Sequence, residues 1–303
     1  MAEGGNVNNY LSIASYFIIK KFKDAKGRDP SGLYFNKIMF LTYKKLRNKI
    51  NLKLPHCWYR YGDEVIKFSM PNNICWDHED PDKTKVFWRY NPPKMEDSEK
   101  VKLIEKTVEQ LTEKYADNVF EAIRKVYSHA PFDFQKRFLE LREMLYGINN
   151  TFNWDATSLA TISAPVFSSA FKTFPVSNFP SLKRQKEITE KAINIILTSN
   201  MPDFNLVKDF SINFWFQFCY HLRTHNMAHE NVPKEILTMW RGKIELEDLK
   251  YRRIIADLLK LLARFYDNVY SFDILKDEIE WKNKDDKEAE KIIEDFFNNP
   301  NSA

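Results

Sequence analysis

A chain of 303 residues is long enough for one large domain or two ordinary ones. Its 44% hydrophobic and 29% charged content excludes both a disordered chain and a membrane-embedded one. The net charge of +4 and a pI near 8.7 permit a polyanionic partner without demanding one, because the charges are interspersed.

Glycine is scarce, with seven copies, and Lys, Glu, Leu and Ile are abundant, which favours helix over sheet. Three scattered cysteines, Cys57, Cys75 and Cys219, are too few for a disulfide framework and point to a reducing, cytoplasmic interior. The polar start MAEGGNVNNY has no signal-type core. Residues 11–19 are apolar but too short to span a bilayer, and they end in Lys20-Lys21, so no membrane partner is expected.

In chain order, residues 1–8 read as disordered and a helix is expected from about Tyr10 to Lys23, stopped by GRDPSG. A second helix is expected from about Leu33 to Ile50, with an apolar stripe through Phe35, Ile38, Met39, Leu41, Leu46 and Ile50. Residues 54–70 and 86–90 are aromatic and β-branched and read as a two- or three-stranded piece. Helices followed by a hairpin are the ingredients of a winged helix-turn-helix. NPPKMEDSE, residues 91–99, reads as a linker, with Asp97 or Ser98 capping the next helix.

Helices are then expected over 98–115, 117–129 and 132–147, followed by a long connection, 150–181, rich in Ser, Thr, Phe and Pro. That connection is a candidate lid, protein-partner segment or loose loop. Helices resume at 182–199, 204–226 and 246–272. The last carries Tyr251, Ile254, Ile255, Leu258, Leu262, Phe265, Tyr266 and Val269 on one face, and a final helix is expected at 285–297. There is no internal repeat. The expected architecture is mainly α: a small winged-helix-like domain of helices plus a β-hairpin, residues 1–95, followed by a larger helical bundle, residues 96–303.

The stretch from Phe210 to Pro233 concentrates the chemistry. Phe210, Ile212, Phe214, Trp215, Phe216, Phe218, Cys219, Tyr220 and Leu222 make it apolar almost all round, the mark of an enclosed helix. Its end turns polar, and His221, His225 and His229 are three of the chain's six histidines. If the helix runs on, these three align at i, i+4 and i+8, a spacing suited to a metal. If it stops near Thr224 to Asn226, Arg223 and His229 can address one phosphate. On a continuous helix, six residues turn through about 600° and leave the two on different faces. A third reading is structural: a His/Arg cluster that bonds the last carbonyls and complements the helix dipole.

Arg223-Thr-His-Asn-Met-Ala-His229, followed by Glu230, resembles the Arg-x(4–6)-His signature of HEPN domains, helical bundles found in many ribonuclease toxins and defence proteins. The resemblance implies a bundle over about 98–280 and metal-independent RNA cleavage, with a site often shared between two protomers of a homodimer. Arg223 would hold phosphate, His229 would be the acid/base, and Asn226, His225 and Glu230 would orient them. Histidine, with a reference pKa of about 6.5, suits that proton transfer at neutral pH, and arginine stays charged throughout.

Residues 35–64 resemble Panacea-type antitoxin domains in having a Lys-plus-apolar helix ahead of a Trp/Tyr-Gly turn, and no residue role follows from that. On its own terms the segment interleaves Lys37, Lys44, Lys45, Arg47, Lys49, Lys53 and Arg60 with Tyr34, Tyr43, Trp58, Tyr59 and Tyr61. That mixture suits RNA or DNA through phosphate contacts and base stacking, and Lys44, Lys45, Arg47, Lys49 and Arg60 are the candidate contacts. The alternative is a solvated helix face. His56-Cys57 and Cys75-x-x-His78 bracket the hairpin at a spacing open to zinc or to plain core packing. Asp77, Glu79, Asp80 and Asp82 form an acidic cluster beside it.

No Walker A, G-x-G-x-x-G or G-x-S-x-G is present, and no cofactor is expected. Two function classes stay open: a HEPN-like metal-independent endoribonuclease, and a non-enzymatic DNA- or protein-binding regulator or structural subunit.

Overall fold

A computed structural model describes residues 4–78, 84–95, 98–148 and 156–265. The protein is mainly helical with a small antiparallel β part, and it divides into two compact units. Unit 1 is Met1–Ala130 with His225–Lys234, and unit 2 is Pro131–Thr224 with Glu235–Ala303. Among the described residues no helix is long and apolar enough to cross a membrane.

Unit 1 opens with α1 (Gly4–Lys26) and α2 (Gly32–Ile50). The Ser31 hydroxyl accepts from the Tyr34 amide at 3.2 Å to start α2, and Asn51 stops it in the left-handed region at φ 53°. Where the sequence suggests one apolar stripe, the first three turns of α2 are enclosed on all sides. Two of the polar residues in those turns, Asn36 and Lys37, bond the strands beside them. Asn36 Oδ1 accepts from the Val65 amide at 3.3 Å, and Lys37 Nζ donates to the Asp63 carbonyl at 2.7 Å.

Those strands are β1 (His56–Tyr59) and β2 (Gly62–Val65), joined by Arg60-Tyr61 and paired His56 with Val65 through Tyr59 with Gly62. A second antiparallel pair, β3 (Ile74–Trp76) and β4 (Val86–Trp88), sets Trp76 edge-on against Phe35 at 5.4 Å. The chain continues into α3 (Glu99–Tyr115), which Ser98 caps, and α4 (Val119–Tyr127). Lys21 of α1 pairs with Glu105 and Glu109 of α3 at 3.0 Å, and both α3 and α4 pack on α2. The linker read at 91–99 is thus a connection within unit 1, and the first boundary between units lies after Ala130.

Gly62 sits at a tight point of unit 1. Its φ is +91°, and a Cβ there would lie 2.8 Å from Tyr127 Cε2. Both the backbone angle and the space demand glycine. Gly62→Ala is expected to lower the stability of unit 1 by about 1–3 kcal/mol, read as a fall in the denaturant midpoint. An unchanged midpoint would show that the hairpin does not press on α4.

Unit 2 is built from α5 (Asp133–Ile148), α6 (Ala156–Lys172), α7 (Lys183–Leu197), α8 (Phe204–Leu222), α9 (Lys234–Gly242) and α10 (Ile244–Phe265). α6 occupies most of the stretch expected to be a long connection. Its Ser/Thr content and Pro165 hide it, and what holds it is the burial of Ala160, Phe167, Ala170 and Phe171, with α5 and α7 packed against it. Phe174 and Phe179 are also buried, so the segment after α6 is anchored in the core.

α8 is the enclosed helix its composition announces. Phe210, Phe214, Trp215, Phe218 and Cys219 are all buried, and Phe138 stacks on Trp215 at 4.4 Å. The expected tail of α10 at Tyr266 and Val269, the helix at 285–297, Asp97, and Glu79, Asp80 and Asp82 lie outside the described residues. The expected disorder of residues 1–8 meets α1 starting at Gly4, and residues 1–3 lie outside the described residues.

Candidate functional site

The helix carrying the histidines stops early. α8 ends at Leu222 with Arg223 as its cap, four residues short of the sequence reading, because Thr224 turns the chain. The Thr224 amide and hydroxyl both donate to the His221 carbonyl, at 3.2 and 2.9 Å. His225 then adopts an extended backbone, and its Nδ1 accepts from the Met227 amide at 3.3 Å. This caps a short 3-10 turn, Asn226–Ala228. The alignment of His221, His225 and His229 that a continuous helix would give is therefore not formed.

Beyond the turn, His229–Glu230 form β5, which adds to β1 in antiparallel register, Cys57 opposite His229 and His56 opposite Glu230. The three-stranded sheet runs β2-β1-β5. Asn231, at φ 55°, closes the strand and donates from Nδ2 to the Leu54 carbonyl at 3.1 Å. A segment distant in sequence thereby joins unit 1 and delivers a carboxylate to it.

That carboxylate is Glu230. The Tyr43 hydroxyl donates to Oε2, and Arg47 reaches Oε1 at 3.3 Å. Partial burial pushes the Glu230 pKa up, but the Tyr43 hydrogen bond and the charges of His56, Lys44 and Arg47 outweigh it, and the net direction is down. Tyr43 is correspondingly pushed up to about 12, by burial and then by its bond to Glu230. Glu230 and Arg47 keep 41% and 38% of their side chains exposed, so the pair can meet a solute.

Behind the pair lies a buried dyad. His56 is 3% exposed and Asp63 is fully buried, with His56 Nδ1 2.5 Å from Asp63 Oδ2. Desolvation raises the Asp63 carboxyl, with His56, Lys37 and Lys44 pulling the other way. The His56 ring is held by Tyr43 at 5.2 Å and edge-on by Phe40 at 5.4 Å. Next to Asp63, Glu64 keeps one carboxyl oxygen shut off from solvent, and burial pushes its pKa up to about 7.

Phe40 also contacts a residue that the sequence did not single out. His129, just past α4, sits edge-on to Phe40 at 6.0 Å and is exposed. Partial burial lowers its pKa first, followed by Lys44, Lys125 and Arg47. Lys44 itself lies over the Phe40 ring at 5.4 Å. Two titrating groups, Glu230 and His129, thus share the field of Lys44 and Arg47.

The remaining sequence candidates fall elsewhere. Arg223 belongs to unit 2, its guanidinium 4.5 Å from the Tyr220 ring and 4.9 Å from that of Trp240. His229, the other member of its motif, belongs to unit 1 and is half-buried on β5. His225 is half-buried, with burial lowering its pKa, and Asn226 is exposed.

Lys45 and Lys49 lie one turn apart on α2 and reach solvent, while Arg60 lies over Tyr59 at 5.4 Å. His56 and Cys57 are strand neighbours whose side chains leave on opposite faces, and the ring nitrogen Nδ1 of His56 is taken by Asp63. Asp77 Oδ1 accepts from the Lys85 amide at 2.5 Å, closing the end of the β3–β4 pair. Among the described residues no group of three or more His, Cys, Asp or Glu side chains is disposed to hold a metal ion.

The dyad was within reach of the sequence. A turn at Arg60-Tyr61 puts His56 and Asp63 on one sheet face as diagonal neighbours. His129 carried no such signal, because only the packing of α4 on α2 brings it to Phe40. Searches against family models, curated proteins and solved structures return no match for this chain.

Proposed function

We propose that unit 1 binds RNA and cleaves it by metal-independent transesterification, with Glu230 and His129 as the proton-transfer groups and Lys44, Arg47 and Lys125 as the phosphate contacts. What supports this is the shared field at α2: a carboxylate held low and an exposed imidazole, both within electrostatic reach of Lys44 and Arg47. The HEPN resemblance supplies the reason to try RNA first. The acid/base work is assigned to Glu230 and His129 rather than to Arg223 and His229.

The chemistry balances. Ionised Glu230 takes the proton of the ribose 2′-hydroxyl as its oxygen attacks phosphorus, and the bond to the 5′-oxygen breaks. Protonated His129 gives its proton to that leaving oxygen, leaving a 2′,3′-cyclic phosphate and a 5′-hydroxyl. In the free protein partial burial, and then the cations, disfavour a charged His129. A bound phosphate answers those cations, so the imidazolium forms where and when the substrate is present. Lys44 and Arg47 then stabilise the charge on the pentacoordinate phosphorus.

The test is cleavage of mixed single-stranded and structured RNA in EDTA by the wild type, Glu230→Gln and His129→Ala. Each substitution is expected to lower kcat by about 10²–10⁴-fold, and DNA of the same sequence, lacking the 2′-hydroxyl, is expected to survive. No cleavage by the wild type, or equal cleavage by all three proteins, overturns the reading. Loss of activity in Arg223→Ala but not in His129→Ala would return the chemistry to the Arg-x(5)-His pair.

A second reading, nucleic-acid binding without chemistry, is favoured by Lys45 and Lys49, whose ammonium-bearing side chains are exposed on one side of α2. Tight RNA or DNA binding that weakens steeply with salt, with no cleavage, would establish it.

A further inference from the structure

The cleavage reading leaves one group unused. His56 Nε2 is sealed from solvent and has no hydrogen-bond partner among the described residues, although Asp63 holds the other ring nitrogen at 2.5 Å. Buried ring nitrogens are rarely left in that state. The nearest carboxylate oxygen is Glu230 Oε1, at 4.0 Å, too long for a hydrogen bond. Register makes this proximity permanent, because His56 and Glu230 are direct partners across β1 and β5. Phe40 and Tyr43 fix the ring plane. Glu230 is the movable member, with 41% of its side chain exposed.

We propose that His56, oriented by Asp63, is the positioning residue for Glu230. When a phosphate draws Arg47 away, the Glu230 carboxylate closes onto His56 Nε2–H and is held there, ionised and aimed, for the proton transfer. This inference rests on the cleavage reading for its purpose, but the His56–Glu230 coupling is measurable without it.

The charged and titratable groups around His56 are Tyr43, Lys44 and Arg47 of α2, Asp63 of β2 with Lys37 beside it, and Glu230 of β5, with His129 and Lys125 beyond Phe40, whereas Glu64 and His229 stand opposite Cys57 on the other sheet face. Among the described residues, Asp63 and Glu230 bring the carboxylates within 4.0 Å of its ring nitrogens. Asp63 is held by burial, so Glu230 is the partner whose charge an experiment can remove without opening the core.

The first arm follows the His56 Nε2 resonance of the intact, isotope-labelled protein by NMR as inorganic phosphate is added. The resonance is expected to move in the wild type, as the Glu230 carboxylate closes on it, and to stay in place in Glu230→Gln. A resonance that stays in place in the wild type, or that moves equally in both proteins, overturns the proposal. The second arm measures RNA cleavage against pH for the wild type and His56→Gln. The variant is expected to keep KM within about twofold while kcat falls by about tenfold or more and the acid limb of kcat moves to higher pH.

A fall in folded fraction alone would scale kcat and leave the limb in place, which would mark His56 as merely structural and overturn the positioning role. If the wild type cleaves nothing, the cleavage reading is lost, and the NMR arm alone decides whether His56 and Glu230 are coupled.

Discussion

Truncating Phe134 to alanine is expected to cost unit 2 about 3–5 kcal/mol. Phe134 is fully buried at the start of α5, and its ring lies within 5.1–6.1 Å of Phe138, Phe171, Phe174, Phe214, Trp215 and Phe218. Those rings come from α5, from α6 and the turn after it, and from α8, so the void would open where three segments converge. Large, rigid neighbours collapse poorly into such a void, and the lost edge-to-face contacts add to the transfer cost. Trp215 supplies the readout: its fluorescence transition should move to markedly lower denaturant in Phe134→Ala. A shift below about 1 kcal/mol would mean that the three segments do not share this core.

Glu64→Gln is expected to act in the opposite direction, and only at higher pH. Burial pushes the Glu64 carboxyl from its ordinary 4.5 up to about 7, with Lys37 opposing and Asp63 reinforcing the rise. A carboxyl whose folded pKa is raised gives stability that is complete below about 4.5 and is lost as pH climbs through about 7. Glutamine mimics the protonated form at every pH. The variant should therefore match the wild type near pH 4 and exceed it at pH 8 by about 1–3 kcal/mol, after allowance for the part of the side chain that meets solvent. Thermal melts at the two pH values check this. A variant that is less stable than wild type at pH 8 would show that ionised Glu64 is held by Lys37 more strongly than burial opposes it.

The fold was legible wherever period and caps agreed. Ser98 as a cap, the apolar enclosure of α8 and the aromatic hairpin at residues 56–65 all follow from local rules. The chain was harder to read where tertiary packing overrode propensity. α6 carries Pro165 and many Ser and Thr residues, and only the burial of its phenylalanines makes it a helix. The end of α8 was misplaced by four residues because the Thr224 hydroxyl bond that turns the chain looks like any polar residue in a last turn.

The candidate site was legible in pieces. Glu230 belonged to one sequence motif, Lys44 and Arg47 to a second, and His56 to a third candidate, a zinc spacing. Nothing in the order of residues links position 47 to position 230, because that link is a pairing of strands far apart in the chain. Fully buried Asp63 and Lys37 were disguised by their charge, since charged residues are seldom enclosed unless partnered.

The late arrival of β5 also sets a schedule for biosynthesis. After Ala130 the ribosome must add residues 131–224 before the segment that completes the sheet emerges, a delay on the order of 5–20 s at ordinary elongation rates. Throughout that interval the nascent chain carries the α2 cations, His129 and the His56–Asp63 dyad, yet has no Glu230. A half-made polypeptide, or one truncated before residue 230, holds the proposed phosphate contacts but lacks the proposed base, so under the proposed chemistry the early product would be inert.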